Sequence, residues 1–164
     1  MASIHAPQRF FWSSEIYPDA NRYGRYQAYG VLEILYNGGR TMNGQHLDGW
    51  DWNATPGSTT IVLPDPKLVA ESDREDVRSQ LKFSGALAFR DGQSGLYAAN
   101  FQESNAGPNH NPSFVWRKSW FATGNEIACL GSDIANNDGS SAPTTGDFAN
   151  ALARPRHRPF RCER

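Results

Sequence analysis

The sequence predicts an all-β fold, an antiparallel β-sandwich of six to nine strands. Short runs of aromatic and β-branched residues recur along the 164 residues, separated by Gly, Pro, Asn and Asp. Two of these runs flank Arg90-Asp91-Gly92-Gln93, and Asp-Gly is a strong hairpin signal. The best helical candidate, Val31 to Tyr36, is flanked by Gly24, Gly30 and Gly38 and has no convincing cap, so it reads as strand.

Met1 to Trp12 is strand-like around Ile4 and Phe10-Phe11-Trp12, with Pro7 interrupting. Ser13 to Gly24, with Pro18, Asp19 and Asn21, is loop chemistry. Arg25 to Tyr36 reads as a strand closed by Asn37-Gly38-Gly39. Leu47 to Asn53 is a short aromatic segment, Ala54 to Gly57 a turn, and Ser58 to Leu63 a β-branched strand ended by Pro64. Asp65 to Arg78 reads as a charged surface loop with one helical turn. Lys82 to Phe89 and Ser94 to Phe101 form one hairpin. After a loop from Glu103 to Pro112, Ser113 to Ala122 and Glu126 to Ile134 form a second, about Thr123-Gly124-Asn125.

The formal charge of −1 is unevenly spread, because Arg154 to Arg164 hold five Arg and one Glu. Residues 1–153 carry 11 basic against 16 acidic side chains, so the body is no general polyanion sponge and no nucleic-acid partner is expected. No stretch approaches a transmembrane helix, and no membrane partner is expected. Cys129 and Cys162 make no disulfide framework, and Cys129 reads as a small buried hydrophobe. The scattered His5, His46, His110 and His157 have no metal-ligand spacing, and His110 reads as a solvated loop residue. Neither a metal nor another cofactor is expected.

The chemistry concentrates between Trp12 and Pro64, which hold three of the five Trp and five of the six Tyr. Aromatic rings, Asn, Arg and carboxylates suit a carbohydrate-facing surface. Within it stand Ser13-Ser14-Glu15-Ile16-Tyr17, Asn21-Arg22-Tyr23-Gly24-Arg25-Tyr26-Gln27, Gly49-Trp50-Asp51-Trp52-Asn53 and Pro56-Gly57-Ser58-Thr59-Thr60. Further on come Lys118-Ser119-Trp120-Phe121 and Asn125 to Ile134. In this order the blocks resemble the central β-domain of polysaccharide lyase family 8, the bacterial chondroitin and hyaluronate lyases, and most closely the chondroitin ABC type. The resemblance covers residues 2–145. Residues 1–145 are accordingly expected to be a β-sandwich domain fragment, and 146–164 an atypical, disordered Arg/Pro-rich tail. That tail reads either as out-of-frame translation or as a genuine basic extension that binds polyanions.

The resemblance implies β-elimination next to a uronic acid: a base removes the C5 proton, an acid protonates the leaving oxygen, and the substrate carboxylate is neutralised. In the family a Tyr, His and Arg from an α/α-toroid do this, and a β-domain Glu completes the set. Glu15 matches that Glu, with the role of holding an Arg or Tyr by charge-assisted hydrogen bonds; the alternative is an ordinary loop carboxylate. Arg22 and Arg25, flanking Tyr23, either fork onto a uronate or sulfate or stack on neighbouring Tyr. Trp50 and Trp52, alternate residues of an extended segment, either stack on sugar or anchor the core. Asn53 is a further candidate sugar contact, or a turn-fixing residue. The expected partner is an acidic polysaccharide, and the chain is expected to need a toroid segment and to be inactive alone. The resembling enzymes act outside the cytoplasm, whereas MASIHAPQRFFW lacks the regions of a signal peptide, so Met1 is not expected to be the natural start. The alternative function is a non-catalytic carbohydrate-binding or structural sandwich.

Overall fold

The structure, a computed structural model, describes residues 2–6, 9–34 and 51–137. Trp50, Asn37-Gly38-Gly39 and the tail lie outside the described residues. The described chain is all-β, with eight strands: β1 Ala2–His5, β2 Ser14–Ile16, β3 Val31–Ile34, β4 Glu75–Val77, β5 Ser84–Ala88, β6 Gly95–Gln102, β7 Phe114–Thr123 and β8 Glu126–Asn136. They form two antiparallel pairs, β1-β3 and β2-β4, and an antiparallel four-stranded meander, β5-β6-β7-β8.

Both expected hairpins are present. At β5–β6 the Asp91 carboxylate accepts the backbone N–H of Gln93 at 3.0 Å and of Ser94 at 2.9 Å, closing the turn over Gly92. The Ser94 side chain, together with these backbone bonds, holds Asp91 below the usual carboxylate range. Between β7 and β8 the register shifts from Val115↔Ala135 to Arg117↔Ser132, so β8 carries one extra residue. Asp133, at φ 50°, absorbs the bulge and pairs with Arg117 at 2.6 Å.

Period-2 alternation gives the meander two different faces. Ala99, Phe101, Phe114, Trp116 and Trp120 point one way and are buried with Tyr26, Tyr29, Ile61, Leu68 and Val77. Partly buried Ile127 and Cys129 pack on this cluster, so Cys129 is a half-covered apolar neighbour rather than a fully buried one. Trp116 is the hub, with ring centroids of Phe101, Tyr29 and Phe114 at 5.3, 5.3 and 4.7 Å. The opposite face carries Leu87, Phe121 and Leu130, and Leu130 is 57% exposed.

Four segments differ from expectation. Arg25 to Tyr36 is not one strand: Gly24–Tyr26 is a 3-10 turn, and the strand begins at Val31. Gly30 marks the break, at φ 86°, where a Cβ would run into the Lys118 side chain. Ser58 to Leu63 is not a strand and holds a single isolated bridge at Thr59; Thr59 N–H donates to Tyr29 O at 3.1 Å and Asn53 ties both ends of its amide to Leu63. Within Asp65 to Arg78 the helical turn is there, at Asp65–Lys67, but Glu75–Val77 is a strand. Phe10 to Trp12 is exposed and outside any strand.

Because Trp116 is at the centre of the buried face, Trp116→Ala is expected to cost about 3–5 kcal/mol, against less than about 1 kcal/mol for Leu130→Ala. Urea unfolding of the two variants measures the difference.

Candidate functional site

Glu15 is placed by its neighbours. Ser14 and Ile16 are buried, so alternation turns Glu15 outward, opposite Asp76 in the β2–β4 ladder. The loop that follows is folded back on it. Asn21, at φ 48°, donates from Nδ2 to Glu15 O at 2.6 Å, and Ser14 Oγ donates to Gly24 O at 2.9 Å. At the carboxylate, Tyr17 Oη donates to Oε2 at 2.6 Å and Arg74 lies 3.0 Å from Oε1. Glu15 thus orients one phenol and one guanidinium. The same guanidinium reaches Asp76 at 2.7 Å. The hydrogen bond to the Glu15 carboxylate is the main reason that the Tyr17 phenol is pushed above its usual range.

Beneath this surface lies a buried polar cluster. Arg25 is ion-paired with Glu103 and donates to Asn109 O at 2.7 Å and Lys67 O at 3.3 Å. His110 Nε2 lies 3.0 Å from Glu75 Oε2, and its Nδ1 lies 3.7 Å from Glu103. Glu75 Oε1 also accepts the Glu71 N–H at 3.0 Å. Gly107 has to be glycine here, because a Cβ would overlap the Glu75 carboxylate. Burial, reinforced by Arg25, pushes the His110 imidazole down to about 3. Neutral His110 therefore donates from Nε2 to Glu75. It is a buried clasp and not the solvated loop residue that its Asn-flanked sequence suggested. Burial raises the Glu103 carboxyl, with Arg25 opposing. Among the described residues, no group of His, Cys, Asp and Glu has the arrangement to hold a metal.

The sequence-derived candidates separate into three places. Glu15 is at the β2–β4 surface. Arg22, Tyr23 and Trp52 form a stack, with the Arg22 guanidinium carbon 5.7 Å from the Tyr23 ring centre and the Tyr23 and Trp52 rings 5.5 Å apart. Trp52 sits in a turn, not on an extended strand. Arg25 and Asn53 are interior. Arg25 faces Glu103, 5.4 Å from the Tyr26 ring centre, rather than solvent, and the Asn53 amide is spent on Leu63.

Sequence reasoning missed Arg74, Asp76 and Arg78, which share the surface with Glu15. The period-2 spacing of these three charges was the available signal. It was masked by Glu75, a charge that points inward to His110.

With this geometry in place, comparison with known proteins identifies the lineage. Residues 8–155 match the polysaccharide lyase family 8 super-sandwich domain. The chain belongs to polysaccharide lyase family 8. It is 35% identical over 153 residues to a chondroitin sulfate ABC endolyase of Proteus vulgaris, covering 93% of this chain and 15% of that enzyme. It is also 33% identical over 151 residues to a chondroitin sulfate ABC exolyase of Proteus vulgaris, covering 88% of this chain and 15% of the exolyase. A Bacteroides thetaiotaomicron chondroitin sulfate ABC exolyase is 34% identical over 143 residues, 79% of this chain and 14% of its own. The chain thus spans about 15% of the length of these family 8 relatives.

Unfolded His110 titrates near 6.5, but folding lowers it to about 3, so the unfolded state binds the extra proton between these values. The stability contribution of the neutral clasp is complete above about pH 6.5 and is lost as the pH falls toward 3, at up to about 1.4 kcal/mol per pH unit. Urea unfolding from pH 7 to 4 is expected to show a shallower acid loss in His110→Gln, whose amide donates to Glu75 without titrating. Equal slopes would contradict the buried neutral imidazole.

Proposed function

We propose that this chain is the β-domain part of a glycosaminoglycan lyase, cleaving chondroitin or dermatan sulfate and hyaluronan by β-elimination. The observation that carries this reading is the Glu15 carboxylate, held outward while accepting a phenol and pairing with a guanidinium. Such a carboxylate orients groups that move protons and neutralise a uronate.

Proton abstraction itself needs a base with an accessible, lowered pKa. Tyr17 beside Glu15 is shifted the other way, Tyr26 is pushed up by burial, and Tyr29 is fully buried. Arg74 is shared between two carboxylates, and Arg25 is enclosed. None of these five described residues is suited to either task, and the base and the uronate-neutralising group would come from a toroid segment, as the resemblance to the family implies. The isolated chain is then a partner-dependent piece of the enzyme, acting outside the cytoplasm where the acidic polysaccharide is met. The Arg22–Tyr23–Trp52 stack favours a second reading, a glycan-binding module without a catalytic share.

The ultraviolet absorbance of unsaturated uronate tests both. The isolated chain is expected to release no product from chondroitin sulfate or hyaluronan. In a lyase polypeptide carrying this domain, Glu15→Ala is expected to lower kcat by about 100-fold or more. An unchanged kcat would leave only the binding reading, and product from the isolated chain would contradict the need for outside groups.

A further inference from the structure

Trp12 lies two residues before the start of β2, and Arg74 and Arg78 bracket β4. The guanidinium carbons of Arg74 and Arg78 are 5.0 and 5.6 Å from the Trp12 ring centre. The ring is 43% exposed although it is the largest kind of side chain, and neither guanidinium is enclosed. The two arginines differ in what else they hold. Arg74 is committed to Glu15 and Asp76. Among the described residues Arg78 has one acidic partner, Asp76, at 3.7 Å, beyond hydrogen-bond reach. Its guanidinium makes no hydrogen bond among the described residues.

A guanidinium packed against an aromatic ring uses its π surface and leaves its in-plane N–H groups directed outward. Those donors have the spacing to fork onto a carboxylate or sulfate. Alternation puts Asp76 and Arg78 on the same face of the chain, about 7 Å apart along the strand direction. Asp76 is directly opposite Glu15. The unspent donors therefore stand beside Glu15 and off its own contacts.

We infer that Trp12 and Arg78 form an oxyanion subsite for an acidic sugar residue neighbouring the one presented to Glu15. Arg78 supplies the fork, and Trp12 fixes its plane. Arg74, neutralised by two carboxylates, keeps Glu15 in place and takes no part in binding the anion. The inference rests on the acidic-polysaccharide reading above and names residues through which this surface would meet that substrate.

Titration calorimetry with the purified chain tests it, using tetrasaccharides of chondroitin sulfate and of hyaluronan. Arg78→Ala is expected to weaken binding about tenfold. Arg78→Lys, which keeps the charge and loses the planar fork, and Trp12→Leu, which keeps apolar bulk and loses the ring, are each expected to weaken it about fivefold. Arg117→Ala removes the same charge from an exposed site on the meander and is expected to stay within about twofold. A penalty confined to chondroitin sulfate assigns the sulfate to Arg78, and an equal penalty on hyaluronan assigns the uronate carboxylate. Wild-type affinity in Arg78→Ala and Trp12→Leu, or an equal loss in Arg117→Ala, would overturn the subsite while leaving the acidic-polysaccharide reading standing. Failure of the wild-type chain to bind either tetrasaccharide would overturn the subsite on this chain, whereas the lyase reading, which calls on a toroid segment, stands or falls separately with Glu15→Ala in a lyase polypeptide. All three side chains are substantially exposed, and unchanged thermal unfolding confirms that each variant is folded.

Discussion

The position of Glu15 depends on a charge network it does not touch. Arg25 and Glu103 are buried together, joining the 3-10 turn after β2 to the end of β6. Breaking such a pair strands a charge in the interior, at a cost of about 3–5 kcal/mol. His110 stands between Glu103 and Glu75, and Glu75 is the first residue of β4. The short β4 is thereby fastened to the loop between β6 and β7, and the β2–β4 ladder is built on that strand. Three-residue strands have little pairing energy of their own, so this polar clasp and the inward Ile16 and Val77 are what hold the outward Glu15.

The aromatic layer supplies the platform underneath. Trp116, Phe101 and Tyr29 pack as a unit, and the Tyr29 hydroxyl accepts the Ser104 N–H at 3.1 Å, next to Glu103. Apolar packing and the polar clasp thus meet at one point on the chain. Lys118 is the exception on the buried face. Its ammonium contacts Gly57 O and lies 5.4 Å from the Trp120 ring centre, and burial lowers it to about 8.

Legibility followed from whether local chemistry and tertiary chemistry agreed. The β5–β6 and β7–β8 hairpins were readable because turn residues and apolar runs coincide. The strand β4 was not, because its inward position is filled by a glutamate whose partner lies 35 residues away. The same long-range pairing made His110 look like a loop residue and Arg25 like a surface cation. Asn53 was ambiguous by nature: the amide that suits a sugar also suits the Leu63 backbone. Glu15 was singled out only by its resemblance to the family, whereas Trp12, Arg74 and Arg78 come to its side only through strand pairing.

The buried clasp holds the ladder that carries Glu15. Native-state amide hydrogen exchange in Glu75→Leu tests it most directly, since that change removes the His110 and Glu71 contacts together. Exchange at the Ser13 amide, bonded to Val77 O at 2.9 Å, and along the β2–β4 ladder is predicted to rise at least about tenfold, with β6–β7 amides unchanged. Unaltered protection of β2–β4, or an equal loss across β6–β7, would contradict the account.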